Sequence, residues 1–308
     1  MNLAEGVKYI DKMAFQGCTG LTSLHIPSTV TLIGEDDSPF YACSSLTDIN
    51  VLSSNTVYTD IDGVLCDKTM KQLIFYPEGK TALAYTVSNV VNAIGNDAFK
   101  KCLNLITVSI PETVSNIGDY AFLNCITLQA VTFPSGMTNV GKSAFQGCTG
   151  MKTLTIKAGA TTIGESSFAG CTGLTSVVIP KSVSNIGIKA FSGCNKLTSV
   201  SIQKGVSNIS NYAFENCTGL KCVTIPDSVS EIGTLAFQKC SNLKFAFFFG
   251  ASPSTTTDLF SARLQPSKSI TDLLQKDLLL RHGKGIRHPR QVWQILLRMC
   301  ISIVWVQE

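Results

Sequence analysis

Nine cysteines in this 308-residue chain each stand three residues after a phenylalanine. Cys18, Cys43, Cys102, Cys125, Cys148, Cys171, Cys194, Cys217 and Cys240 follow Phe15, Phe40, Phe99, Phe122, Phe145, Phe168, Phe191, Phe214 and Phe237. A recurring thiol can be a disulfide partner, a metal ligand or a nucleophile, or simply a small apolar side chain. From Phe99 to Phe237 the interval is 23 throughout, and AFQGCTG stands at both 14–20 and 144–150. There is no C-x-x-C pair, and an interval of 23 sets each thiol above its equivalent instead of converging ligands as zinc needs. The spacing favours a buried, reduced ladder beside the phenylalanines; disulfides among its members are the alternative. Cys66, Cys222 and Cys300 lie outside the column, and Cys222 is expected to be the most exposed thiol.

Other reactive side chains do not assemble. Residues 1–250 hold a single histidine, His25, while His282 and His288 lie further on. The acids, among them Glu35-Asp36-Asp37, Asp119, Glu165 and Glu231, are scattered through turns, so no nucleophile, base and orienting group can be grouped. DIDG at 60–63 has Val64 where a calcium loop needs an acid, and no closing Glu, so it reads as a polar hairpin turn. No catalytic residue, metal ligand or cofactor site is expected, and the chain does not read as an enzyme.

The elements that position these residues follow from one unit, LTSVVIPKSVSNIGIKAFSGCNK at 174–196. Val177 and Ile179 alternate with Ser176 and Val178 as in a strand with one buried side. Pro180, lacking an N–H, ends it. A short extended segment, V-x-x-I-G, follows, and its Gly187 is expected at positive φ. One such unit cannot bury its own apolar side, whereas stacked units can, so the fold class is a β-rich solenoid with a parallel sheet on one face.

LTSVVIPKSVSNIGIKAFSGC resembles the leucine-rich repeat of the BspA-like surface-protein family of bacteria and protists, over about residues 3–250. The segment at 57–80 resembles a β-hairpin inserted in such arrays: Phe40 to Phe99 spans 59 residues, 13 more than two repeats. GVLCDKTMKQLIFYP reads as strand, Asp-Lys-Thr turn and strand. Ten coils are expected, beginning near Leu21, Leu46, Leu83, Leu105, Leu128, Met151, Leu174, Leu197, Leu220 and Leu243, with a sheet roughly 45–50 Å long. The resemblance further implies that the ladder thiol accepts a turn N–H.

The outward sheet positions form two columns: Ser23/His25, Asp48/Asn50, Ala84/Thr86, Thr107/Ser109, Ala130/Thr132, Thr153/Thr155, Ser176/Val178, Ser199/Ser201, Cys222/Thr224 and Phe245/Phe247. Candidate partner-binding residues are Thr107, Ser109, Thr132, Thr153, Thr155, Ser176, Val178, Ser199, Ser201 and Thr224. Their small hydroxyls make a nearly uncharged strip of donors and acceptors, although threonine also favours strands for packing reasons alone.

Residues 1–250 carry 17 basic and 17 acidic side chains, so no overall basic footprint for nucleic acid is present. The longest late apolar run, Met299 to Val306, is far short of the roughly 20 residues of a membrane span. MNLAEGVKYIDKMAF lacks the apolar core of a signal peptide and begins mid-repeat. The chain therefore reads as a fragment of a longer surface protein, as an incomplete gene model, or, if complete, as one whose open solenoid ends favour self-association. Residues 1–250 are assigned to the solenoid and 251–308 to a linker and dissimilar C-terminal tail, either a cap or foreign sequence. The resemblance implies a non-catalytic cell-surface or secreted adhesin that binds a protein or glycan ligand. A cytoplasmic scaffold is the alternative.

Overall fold

The computed structural model describes residues 1–34, 38–249 and 254–255, and of Phe245, Phe247, Ser254 and Thr255 the backbone only. The expectations for Glu35-Asp36-Asp37, Cys300 and the tail lie outside the described residues, as do those for the side chains of Phe245 and Phe247. Ten parallel strands form the expected face, at Ser23–Ile26, Asp48–Val51, Ala84–Thr86, Thr107–Ser109, Ala130–Phe133, Thr153–Ile156, Ser176–Ile179, Ser199–Ile202, Cys222–Ile225 and Phe245–Phe248. Their register repeats the sequence period: Thr132 pairs with Thr155, and Val177 with Val200. The ladder runs in three blocks, broken where the insertion falls and again between Thr153–Ile156 and Ser176–Ile179.

The I-G segment forms a second row of two-residue strands, including Asn116–Ile117, Thr162–Ile163, Asn185–Ile186 and Asn208–Ile209. Ser254–Thr255 adds a rung to this row by pairing with Glu231–Ile232. Serine and threonine hydroxyls reinforce the row, as when Ser184 Oγ donates to the Thr161 carbonyl (3.2 Å). Gly187 departs from expectation, because its φ is not positive. A Cβ there would instead lie 2.6 Å from the Ile163 carbonyl oxygen of the preceding coil, so close approach of two backbones is what calls for glycine.

Positive φ occurs around the A-F turn, at Lys189 (φ 54°) and Gly193 (φ 74°) on either side of Phe191. The same two columns contain Tyr120 and Asn124, Ser143 and Gly147, and Tyr212 and Asn216. These reversals let Phe191 N–H donate forward to the Ala213 carbonyl (2.8 Å) and Gly193 N–H to Glu215 (2.7 Å), making a third side to each coil. This third ladder crosses the second break, with Phe145 N–H donating to Ser167 (2.7 Å).

Inside, the phenylalanine column is a stack. Successive rings from Phe145 to Phe237 lie 5.3–5.4 Å apart and within 10° of parallel. The insertion interrupts it. It is a three-stranded meander, Tyr58–Ile61, Val64–Asp67 and Gln72–Phe75, rather than a simple hairpin, because Tyr58–Ile61 pairs antiparallel with Val64–Asp67. Gln72–Phe75 joins the second row by pairing with Ala93–Ile94. The meander is buried on both sides. Leu65 and Phe75 belong to an N-terminal core, and Val64, Leu73 and Tyr76 to the larger C-terminal one. It therefore acts as a wedge across the solenoid.

Candidate functional site

The cysteine column is part of this packing. Cys194 Sγ donates to the Phe168 carbonyl (3.2 Å), and the same contact recurs at Cys43, Cys125, Cys148, Cys171, Cys217 and Cys240, each with the phenylalanine of the preceding coil. Cys102 makes the equivalent, longer contact with Tyr76 (3.8 Å). The thiol thus donates to a carbonyl, because the carbonyl of each A-F turn points along the axis into the next coil. It also meets the expected turn N–H: the backbone N–H of Cys148 faces the Cys171 sulfur and that of Cys171 faces Cys194, with the same relation at Cys43, Cys148, Cys217 and Cys240. Burial raises the thiols of Cys171 and Cys240 to about 12 and that of Cys43 to about 11. A thiol in that state is a poor nucleophile. The cysteines described are free, and Cys18, in the first coil, is the exposed one. Cys222 is half-buried, so Cys18 and not Cys222 is the most exposed thiol among the described residues.

Among the described residues no group of three or more His, Cys, Asp or Glu could hold a metal ion. Asp62 and Gly63, both at positive φ, form a two-residue turn of the primed type that suits a twisted hairpin. The Asp60 carboxylate accepts from the N–H groups of Val51 (2.8 Å) and Gly63 (3.4 Å), so DIDG shapes the wedge tip. His25 borders an open depression of about 460 Å³ with Glu5 and Asn50. A hollow of about 90 Å³ beside Phe40 and Phe75 falls well below the ~300 Å³ of ordinary ligand pockets.

The sheet face gathers the proposed contact residues on one side. Thr107, Ser109, Thr132, Thr153, Thr155, Ser176, Val178 and Ser201 are exposed, whereas Ser199 and Thr224 are half-buried. Between Thr153 and Thr224 the outward positions carry neither a charge nor an aromatic ring. The break before Ser176 divides this strip into two hydrogen-bonded blocks.

Residues 1–61, 92–187 and 161–271 match the family described as BspA type leucine rich repeat region, in six copies. The chain belongs to that family. A leucine-rich repeat protein from Eubacterium ventriosum is 29% identical, covering 78% of this chain and 64% of its own, with a TM-score of 0.73. A leucine rich cell surface protein from Faecalibacterium prausnitzii is 27% identical over 81% of this chain and 59% of its own, with a TM-score of 0.48. The pneumococcal vaccine antigen PcpA is 21% identical over 87% of this chain and 56% of its own, with a TM-score of 0.51. The BspA-type chain thus spans roughly six tenths of the length of these structures. No curated protein sequence matches it.

Two features of this BspA-type array escaped the motif count. Tyr76 stands 23 residues before Phe99 and stacks on it (5.1 Å), so it is a member of the ring column that a search for phenylalanine passes over. The wedge's two-sided burial had a signal in the unbroken apolar runs VLC and LIFY, since a strand covered on both faces does not alternate.

Proposed function

We propose that this array is a non-catalytic adhesion module that binds proteins or other cells through its Ser/Thr-rich sheet face. The observation that carries this reading is the uncharged, hydroxyl-rich strip of outward positions from Thr107 to Thr224, in straight register within each of the two blocks that meet before Ser176. Contacts repeated along such a strip add up, so affinity would come from area and avidity. Family membership supports a place at the cell surface. Among the described residues no helix is long and apolar enough to cross a membrane.

The test is adhesion of beads coated with the full chain to cell monolayers and to matrix proteins. A variant carrying Thr153→Glu, Thr155→Glu and Ser201→Glu should lose at least tenfold in adhesion while keeping the wild-type melting curve. Undiminished adhesion in that variant would move the site off the sheet. A second reading, an intracellular scaffold, draws on the free thiols, which suit a reducing compartment. Surface labelling of intact source cells separates the two.

A further inference from the structure

The neutrality of residues 1–250 conceals a segregation of charge. Residues 1–141 contain seven Lys and thirteen Asp or Glu, whereas residues 142–250 contain ten Lys and four acids; neither part contains Arg. All ten of those lysines are exposed. Six of them frame the sheet face. Lys152, Lys221 and Lys244 immediately precede the strands Thr153–Ile156, Cys222–Ile225 and Phe245–Phe248. Lys157, Lys181 and Lys204 follow the strands Thr153–Ile156, Ser176–Ile179 and Ser199–Ile202 by one or two residues. The equivalent flanking positions of the first five coils hold no lysine and one acid, Glu112.

Six residues of extended chain separate the two rims by about 20 Å, and consecutive coils are ~4.8 Å apart. Lysines in adjacent coils on the same rim, Lys157, Lys181 and Lys204 on one and Lys221 and Lys244 on the other, therefore fall within one Debye length, about 8 Å at physiological salt, and reinforce one another. Two of them are engaged, Lys157 with Glu112 (2.6 Å) and Lys204 with Asp227 (2.9 Å). Both pairs are exposed, and such pairs are weak and readily exchanged.

We propose that the part of the sheet face between Lys152 and Lys244 docks a polyanionic glycan, a chain of sugar rings bearing sulfate or carboxylate groups. This rests on the reading that the sheet face is the binding surface, and it names the ligand class. Sugar hydroxyls meet the Ser/Thr strip, which offers both donors and acceptors. Anionic substituents on either edge of the chain reach the two lysine rims, whose flexible ammonium groups act as point charges. Single-stranded nucleic acid fits less well, because no outward aromatic ring from Thr153 to Thr224 offers a stacking platform. An acidic polypeptide supplies the charge but few hydroxyls for the strip.

The experiment measures binding of a sulfated heparin dodecasaccharide to the full chain at 0.15 M NaCl, beside neutral dextran and poly-L-glutamate of similar length. Heparin should bind, and dextran and polyglutamate should bind at least tenfold more weakly. Replacing the six rim lysines by Gln should weaken heparin binding at least tenfold. Replacing Lys142, Lys189, Lys196 and Lys239, which lie off the face, should change it less than threefold. Equal losses in the two variants, no loss in the rim variant, or preference for polyglutamate overturns the proposal. The Glu-substituted face variant separates the two readings. If wild-type chain ignores heparin while that variant still loses cell adhesion, only the glycan assignment fails. If that variant keeps both adhesion and heparin binding, the sheet-face reading fails with it.

Discussion

The thiol of Cys194 lies 3.2 Å from the carbonyl oxygen of Phe168, one coil earlier, and donates its proton to it. That contact explains why phenylalanine and cysteine recur together. The ring fills the core, and the thiol three residues later satisfies the carbonyl that the preceding A-F turn directs along the axis. The Phe168 carbonyl also accepts the N–H of Cys171 within its own coil (3.2 Å), so the thiol takes up its second lone pair and ties one coil to the next.

Alkaline instability follows from the same burial. Unfolded cysteine ionises near pH 8.5, whereas Cys171 and Cys240 in the folded array are raised to about 12 and Cys43 to about 11. Burial also raises Cys102, Cys148, Cys194 and Cys217. The folded state therefore keeps protons that the unfolded chain releases. Stability is fully present below about pH 8.5 and falls as pH rises towards 11–12, by up to about 1.4 kcal/mol per thiol per pH unit. Thermal melts should drop steeply between pH 8 and 10. A flat profile over that range would contradict the burial of protonated thiols.

Ser167 is expected to be a suboptimal residue. It occupies the column that holds Ala98, Ala121, Ala144, Ala190, Ala213 and Ala236, is fully buried, and its hydroxyl has no hydrogen-bond partner. Ser167→Ala should stabilise the array by about 1 kcal/mol, read as a higher denaturant midpoint. A lower midpoint would show that the hydroxyl does have a partner.

The wedge should confine damage to one end. Gly63 has φ 74°, and a Cβ there would lie 2.5 Å from Asp48 Oδ1 and 3.1 Å from Asp48 Cα. Gly63→Val should therefore open the meander tip and loosen the N-terminal core that Leu65 and Phe75 share with Leu24 and Phe40. Repeat arrays propagate perturbation mainly between neighbours. Amide exchange should accelerate in residues 9–75 and stay slow from Phe122 to Phe237. Uniform acceleration would mean that the two cores unfold as one.

The periodic parts of the molecule were legible in the sequence, and so was the place of the insertion, from the 59 residues between Phe40 and Phe99, whereas its third strand was not. Leu174, Val177 and Ile179 announce a strand because each faces the core at a fixed step. The left-handed positions are opaque, since Lys189 and Tyr212 give no hint of positive φ and only Gly193 does. Cys18 reads like the other column members, yet it is exposed, because burial of a column residue depends on the coil packed against it. The sheet-face columns were readable from alternation alone. The half-burial of Ser199 and Thr224 is not marked by alternation, which assigns them the same outward side as their exposed neighbours Ser176 and Ser201. The lysine frame was masked because summing charge over 250 residues cancels its two halves.

Thiol accessibility, mapped residue by residue, tests the central claim that the cysteines are packing and not chemistry. The full chain is exposed to an excess of alkylating reagent at pH 7.5, then unfolded and treated with an isotopically distinct one, and each site is assigned by peptide mass. Cys18 should take the first label within minutes. Cys43, Cys102, Cys125, Cys148, Cys171, Cys194, Cys217 and Cys240 should take only the second. Prompt native labelling in the column, or column cysteines that resist both reagents until reduced, would contradict a buried, reduced ladder.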